Sequence, residues 1–140
     1  MSTGATPIDK GQLDAWLCAA LRALAADPAE QLIIHPPTQV CPACELLSDY
    51  DNWGHVWRHR EDVLAFPDAV QHLAALDQAI AQLTVADVEC FSEAALKSAT
   101  WSAVRQAARV ALQHLGWERH AEPYLQISPG TWRPRPVEGA

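Results

Sequence analysis

The stretch Asp9-Lys-Gly-Gln-Leu13-Asp-Ala-Trp16-Leu17-Cys-Ala-Ala20-Leu21-Arg-Ala-Leu24-Ala-Ala26 decides the fold class. Leu13, Trp16, Leu17, Ala20, Leu21 and Leu24 recur at spacings of three and four, which puts them on one face of a helix. Asp9 is placed to cap it, and Asp27-Pro28 ends it, because the residue before a proline is pushed out of the α region. The same period returns downstream. Residues 67–83 carry Val70, Leu73, Leu76, Ala79, Ile80 and Leu83, with Pro67 suited to the first helical position. Thr84, with Asp87 three residues on, opens a further helix predicted to run to about Ser98 through Val88, Phe91, Ala95 and Leu96. The last helix, about Thr100 to Leu115, buries Trp101, Val104, Ala108, Ala111, Leu112 and Leu115, with Gly116 as its C-cap.

Two weaker helical pieces lie between these. Pro42 to about Asn52 forms one, Gly54 breaks it, and His55 to Ala65 supplies another turn or two. Gln31 to His35 is short and β-branched and reads as a strand or extended connection. Its residues 32–34 have a pairing partner in the apolar patch 124–127, although from about Trp117 the proline-rich chain reads as a mostly irregular tail. The expectation is a mainly α, single-domain bundle of four to six helices spanning residues 1–140, with no repeat and no linker.

A chain of 140 residues suits one domain, and 49% apolar against 19% charged residues excludes wholesale disorder. No apolar run approaches the roughly 20 residues that span a bilayer. The first ten residues lack a basic segment followed by an apolar one, so a cytoplasmic protein is expected. The net charge of −7 argues against direct binding of nucleic acid or anionic membranes, which need positive charge. The acid is concentrated in residues 1–100, while residues 101–140 carry a small basic excess.

The four cysteines differ in setting. Cys18 and Cys90 sit within predicted helices and read as buried small hydrophobes. Cys41 and Cys44 form Cys-Pro-Ala-Cys, with His55 and His59 downstream at one-turn spacing. Zinc takes four nitrogen or sulfur ligands, and Cys41, Cys44, His55 and His59 could supply them as a structural site. The arrangement resembles a Cys2His2 zinc finger over residues 41–59. The spacer is shorter, however, and Glu61 and Asp62 follow where a DNA-reading helix would be basic. A redox reading of Cys41 and Cys44 has thioredoxin-like spacing but lacks the βαβ setting. Neither reading displaces the expectation of a chain without a cofactor, structural zinc being the alternative.

Other catalytic patterns are missing. No glycine-rich phosphate loop, nucleophile elbow or His-Glu-x-x-His occurs. His35, His72, His114 and His120 read as structural or solvated, with His114 favourable at a helix C-terminus. A non-enzymatic protein is the expectation.

The most distinctive segment is Glu45-Leu-Leu-Ser-Asp49-Tyr50-Asp51-Asn52-Trp53-Gly54-His55-Val56-Trp57. Tyrosine and tryptophan dominate interface hot spots, and neighbouring carboxylates steer a basic partner. Glu45, Asp49, Tyr50, Asp51, Trp53 and Trp57 are therefore the predicted partner-binding residues, with Asp68, Asp77, Asp87 and Glu89 as outer candidates. In its small size, acidity and this segment, the chain resembles in general type a bacterial immunity protein of a contact-dependent or polymorphic toxin system. That resemblance implies a cytoplasmic toxin inhibitor acting by protein–protein interaction on a basic partner such as a nuclease domain.

Overall fold

A computed structural model describes residues 10–117 and the backbone of residues 124–128 and 131–134. Five α-helices form the body: α1 (Lys10–Ala25), α2 (Pro28–Ile34), α3 (Pro42–Arg58), α4 (Pro67–Ala81) and α5 (Ala99–Leu115). Single 3-10 turns lie at Val63–Ala65 and Ala94–Lys97. The predicted mainly helical bundle is the observed architecture.

The central element is α1. Leu17, Leu21 and Leu24 are fully buried, and α1 packs against α3 on one side and α5 on another, while α5 also holds α4. Leu46 and Trp57 from α3, Leu73 and Leu76 from α4, and Trp101 and Val104 from α5 complete the core. Ser98 caps α5 by accepting the Trp101 N–H at 3.2 Å, and Gly116 ends it in the left-handed region at φ 75°. That conformation is the one glycine adopts without a Cβ penalty.

Four local expectations are corrected. Residues 31–35 are not extended: residues up to Ile34 belong to α2, with Pro28 pre-set at its start. Gln31 is completely buried there and donates to the carbonyls of Ala23 and Leu24, both at 3.1 Å, so that α2 closes the end of α1. Burial of Gln31 and Leu32 against α1 outweighs the strand preference of the isoleucines. The pairing of 32–34 with 124–127 is consequently absent. Instead, β1 (Tyr124–Ser128) pairs antiparallel with β2 (Thr131–Pro134) inside the segment expected to be irregular; the rest of the tail lies outside the described residues.

Gly54 does not break α3, which is continuous through it. A Cβ at this position would approach Tyr50 Cε1 to 3.1 Å, so the glycine lets the Tyr50 ring lie against the helix. The Tyr50 hydroxyl donates to Asp77 at 2.7 Å and lies 3.2 Å from the Leu73 carbonyl, fastening α3 to α4.

The fourth correction matters most for the site. A helix from Thr84 to Ser98 does not form. Its start is correct: Asp87 accepts the Thr84 N–H at 2.8 Å, and the Asp87 N–H donates back to the Thr84 hydroxyl at 3.4 Å. A continuing helix would then need the Phe91 N–H to bond the Asp87 carbonyl. Both groups are engaged elsewhere. Trp101 Nε1 donates to the Asp87 carbonyl at 2.7 Å, and the Phe91 N–H lies on the Cys41 sulfur. Phe91 takes φ 61°, and the chain proceeds as turns until Ala94.

Trp101→Phe keeps an aromatic ring but removes the indole N–H with part of the ring, so the buried Asp87 carbonyl loses this donor and a small cavity is left. The variant is expected to lose about 1–3 kcal/mol in urea unfolding with unchanged helical circular dichroism; an unaltered midpoint would show that the bond does not hold the turn.

Candidate metal centre

Cys41 is the N-cap of α3, Pro42 the first helical residue, and Cys44 lies one turn further in. Proline suits that position because its missing N–H would have no helical partner there. Cys90 arrives from the turn segment that precedes Phe91. The Sγ atoms of Cys41, Cys44 and Cys90 all lie within 4.8 Å of one another, and Cys44 and Cys90 are 4.0 Å apart. Tetrahedral zinc, with Zn–S near 2.3 Å, sets its sulfurs about 3.8 Å apart. The cluster thus needs little rearrangement to close on such an ion.

Hydrogen bonds within the cluster shift Cys41 and Cys44 in opposite directions. Burial pushes the Cys41 thiol up, but the N–H groups of Cys44 and Phe91 and the thiols of Cys44 and Cys90 together bring it below its ordinary value. Cys44 is pushed up to about 12, first by its hydrogen bond with Cys41 and then by burial. Cys41 is thus the more acidic of the hydrogen-bonded pair Cys41 and Cys44. Cys44 and Cys90 are exposed.

The structure keeps half of the predicted metal set. Cys41 and Cys44 belong to the cluster, whereas His55 and His59 stand at the opposite end of α3. His55 lies eleven positions along the helix from Cys44, about 16 Å at 1.5 Å per residue. The two imidazoles lie against each other, with centroids 4.2 Å apart, and His59 Nδ1 donates to the His55 carbonyl at 2.8 Å. Cys90, expected to be a buried hydrophobe, is the missed member of the cluster. Nothing in linear spacing marks it, because its partner Cys44 is 46 residues away. Cys18 is buried as expected, its thiol pushed up to about 12 by burial, and it lies outside the cluster.

The predicted partner surface is divided by the helix. Leu46, Tyr50, Gly54 and Trp57 form the buried face of α3. Tyr50 and Trp57 are thus corrected from surface to core: they are 2% and 1% exposed, and Trp57 Nε1 donates to Asp14 at 2.9 Å. Spacings of four, eight and eleven from residue 46 were a legible sign of this. Trp53 is half-buried and stacks on Trp16, with centroids 4.7 Å apart. Asp51 is exposed, Glu45 and Asp49 are half-exposed, and Asp49 lies 3.9 Å from His35 Nε2. Of the outer candidates, Asp68 and Glu89 are exposed. Asp77 is bonded to Tyr50 and Arg58, and Asp87 is buried beneath its own turn.

No protein family, curated protein or solved structure matches the chain. Among the described residues, no helix is long and apolar enough to cross a membrane.

Native protein treated with a thiol reagent under reducing-agent-free conditions should show three accessible cysteines, with Cys18 appearing only on unfolding. Fast labelling of Cys18 in the folded chain would contradict its burial.

Proposed function

We propose that this chain is a small metal-stabilised helical protein of the adaptor or regulator kind, whose Cys41, Cys44 and Cys90 hold a thiophilic ion, with zinc as the first candidate. The observation that carries the reading is the meeting of three sulfurs from two distant segments within 4.8 Å of one another. Soft thiolates select such ions. The bound ion would tie the start of α3 to the turn between Thr84 and Phe91 and so contribute its binding energy to folding. The role suits a reducing compartment, where the thiols stay available.

Protein purified under reducing conditions and supplied with zinc is expected to hold about one zinc per chain. At free zinc about 100 times Kd, binding adds about 2.7 kcal/mol, or roughly 9 °C in melting temperature for a chain of this length. Chelation should remove that increment, and Cys90→Ser should abolish it. A zinc ratio near zero after reconstitution, with melting unchanged by chelator, would sink the proposal.

The second reading is an inhibitor of a basic partner, such as the toxic domain named by the immunity-protein resemblance. It is supported by the net charge of −7 and by Glu45, Asp49 and Asp51 on one helix, with exposed Asp51 at its centre. Without Tyr50 and Trp57 its contact would be chiefly electrostatic, so it would be salt-sensitive. An Asp49→Lys/Asp51→Lys double variant should lose binding to a toxic domain encoded by a neighbouring reading frame. Undiminished binding and protection would remove this surface.

A further inference from the structure

Zinc completes a tetrahedron, and a closed structural site supplies all four corners from the protein. Cys41, Cys44 and Cys90 supply three, and among the described residues no histidine, aspartate or glutamate joins them as a fourth. The sulfurs form a triangle rather than a chain: each lies within 4.8 Å of both others. Exposed Cys44 and Cys90 leave one side of that triangle open to solvent. A ligand that makes three bonds to sulfur, and keeps a lone pair where a fourth ligand would be, satisfies this donor set completely.

Resting on the metal-thiolate reading above, we infer that the Cys41/Cys44/Cys90 triangle is a binding site for trivalent arsenic, taken up as arsenite. The reaction balances without an oxidant or reductant. Each of three thiols replaces one hydroxyl of arsenous acid, each S–H proton leaves with that hydroxyl as water, and three As–S bonds form while arsenic stays trivalent. The protein supplies the converging thiols, and Cys18, buried in α1 away from the cluster, takes no part. The third thiol distinguishes the site from an ordinary pair. Two cysteines leave a hydroxyl on arsenic that water can attack, whereas the third closes the last position as an intramolecular ligand at high effective concentration.

The test is titration of the reduced full-length chain with sodium arsenite, read by native mass spectrometry, thiol counting and displacement of bound zinc into a coloured chelator. One arsenic per chain is expected, with a mass gain of one arsenic less three hydrogens, loss of three reactive thiols and release of zinc. Cys41→Ser, Cys44→Ser and Cys90→Ser should each lower arsenite affinity at least about tenfold, while Cys18→Ser leaves it unchanged; circular dichroism identifies any variant that fails to fold. For such a variant, protection of the individual thiols from alkylation in the arsenite-treated native chain gives the same assignment. Zinc binding at one per chain with no arsenite uptake overturns the inference and leaves the metal reading intact. Binding of neither ion overturns both. Retention of a hydroxyl on arsenic, or a variant of the triangle that binds as well as the native chain, also overturns it.

Discussion

The bond from Trp101 Nε1 to the Asp87 carbonyl determines what the middle of this protein becomes. The sequence from Thr84 to Ser98 carries a capping box and an apolar period, and both favour a helix. Helix propagation gains one hydrogen bond per residue fixed, so it is vulnerable where a carbonyl already has a better donor. Trp101 is fully buried, and its indole N–H must be satisfied; the Asp87 carbonyl satisfies it. The Phe91 N–H, deprived of its helical acceptor, lies on the Cys41 sulfur instead. The backbone runs instead as i→i−3 turns, with the Asp87, Val88 and Glu89 N–H groups on the Thr84, Val85 and Ala86 carbonyls, and this turn segment brings Cys90 to the thiols at the start of α3.

The frame that receives this turn is more conventional. α1 presents leucines to two neighbouring helices, and α3 is fastened to α4 through Tyr50, Asp77 and Arg58. Arg105 is buried on α5 and donates to the Leu96 carbonyl at 2.7 Å, holding the 3-10 turn that follows the cysteine segment. The turn is therefore fixed from both ends by α5, through Trp101 and Arg105. A loop so held is a better base for convergent thiols than a free one, because less conformational entropy is lost when a ligand closes them.

Helices α1, α4 and α5 were legible because their apolar residues keep one period over four or more turns, and packing agrees with propensity. The errors fall where tertiary contacts oppose a local rule. Gly54 resembled a breaker, yet it is the place where a tyrosine ring lies against its own helix. The 45–57 segment read as a partner-binding surface because its aromatics were taken by composition; read by period, Leu46, Tyr50 and Trp57 form one buried stripe. Two of the three clustered thiols could be read, since Cys-Pro-Ala-Cys brings them together through local geometry alone. The third ligand depends on which carbonyl Trp101 finds, and no spacing within residues 41–59 contains that information.

This division of the ligands affects folding. In an unfolded chain Cys41 and Cys44 remain separated by only two residues and still offer an ion a pair of thiols, so their contribution is partly present in both states. Affinity for the unfolded state subtracts from the stabilisation a ligand can give. Cys90 is different: bringing it to Cys44 closes 46 residues of chain, an entropic cost that the folded protein has already met by placing the turn. The stabilising power of an ion bound there would therefore reside mainly in the cysteine that local spacing could not identify. The Trp101–Asp87 bond, by positioning that cysteine, couples the packing of α5 to whatever the three thiols bind.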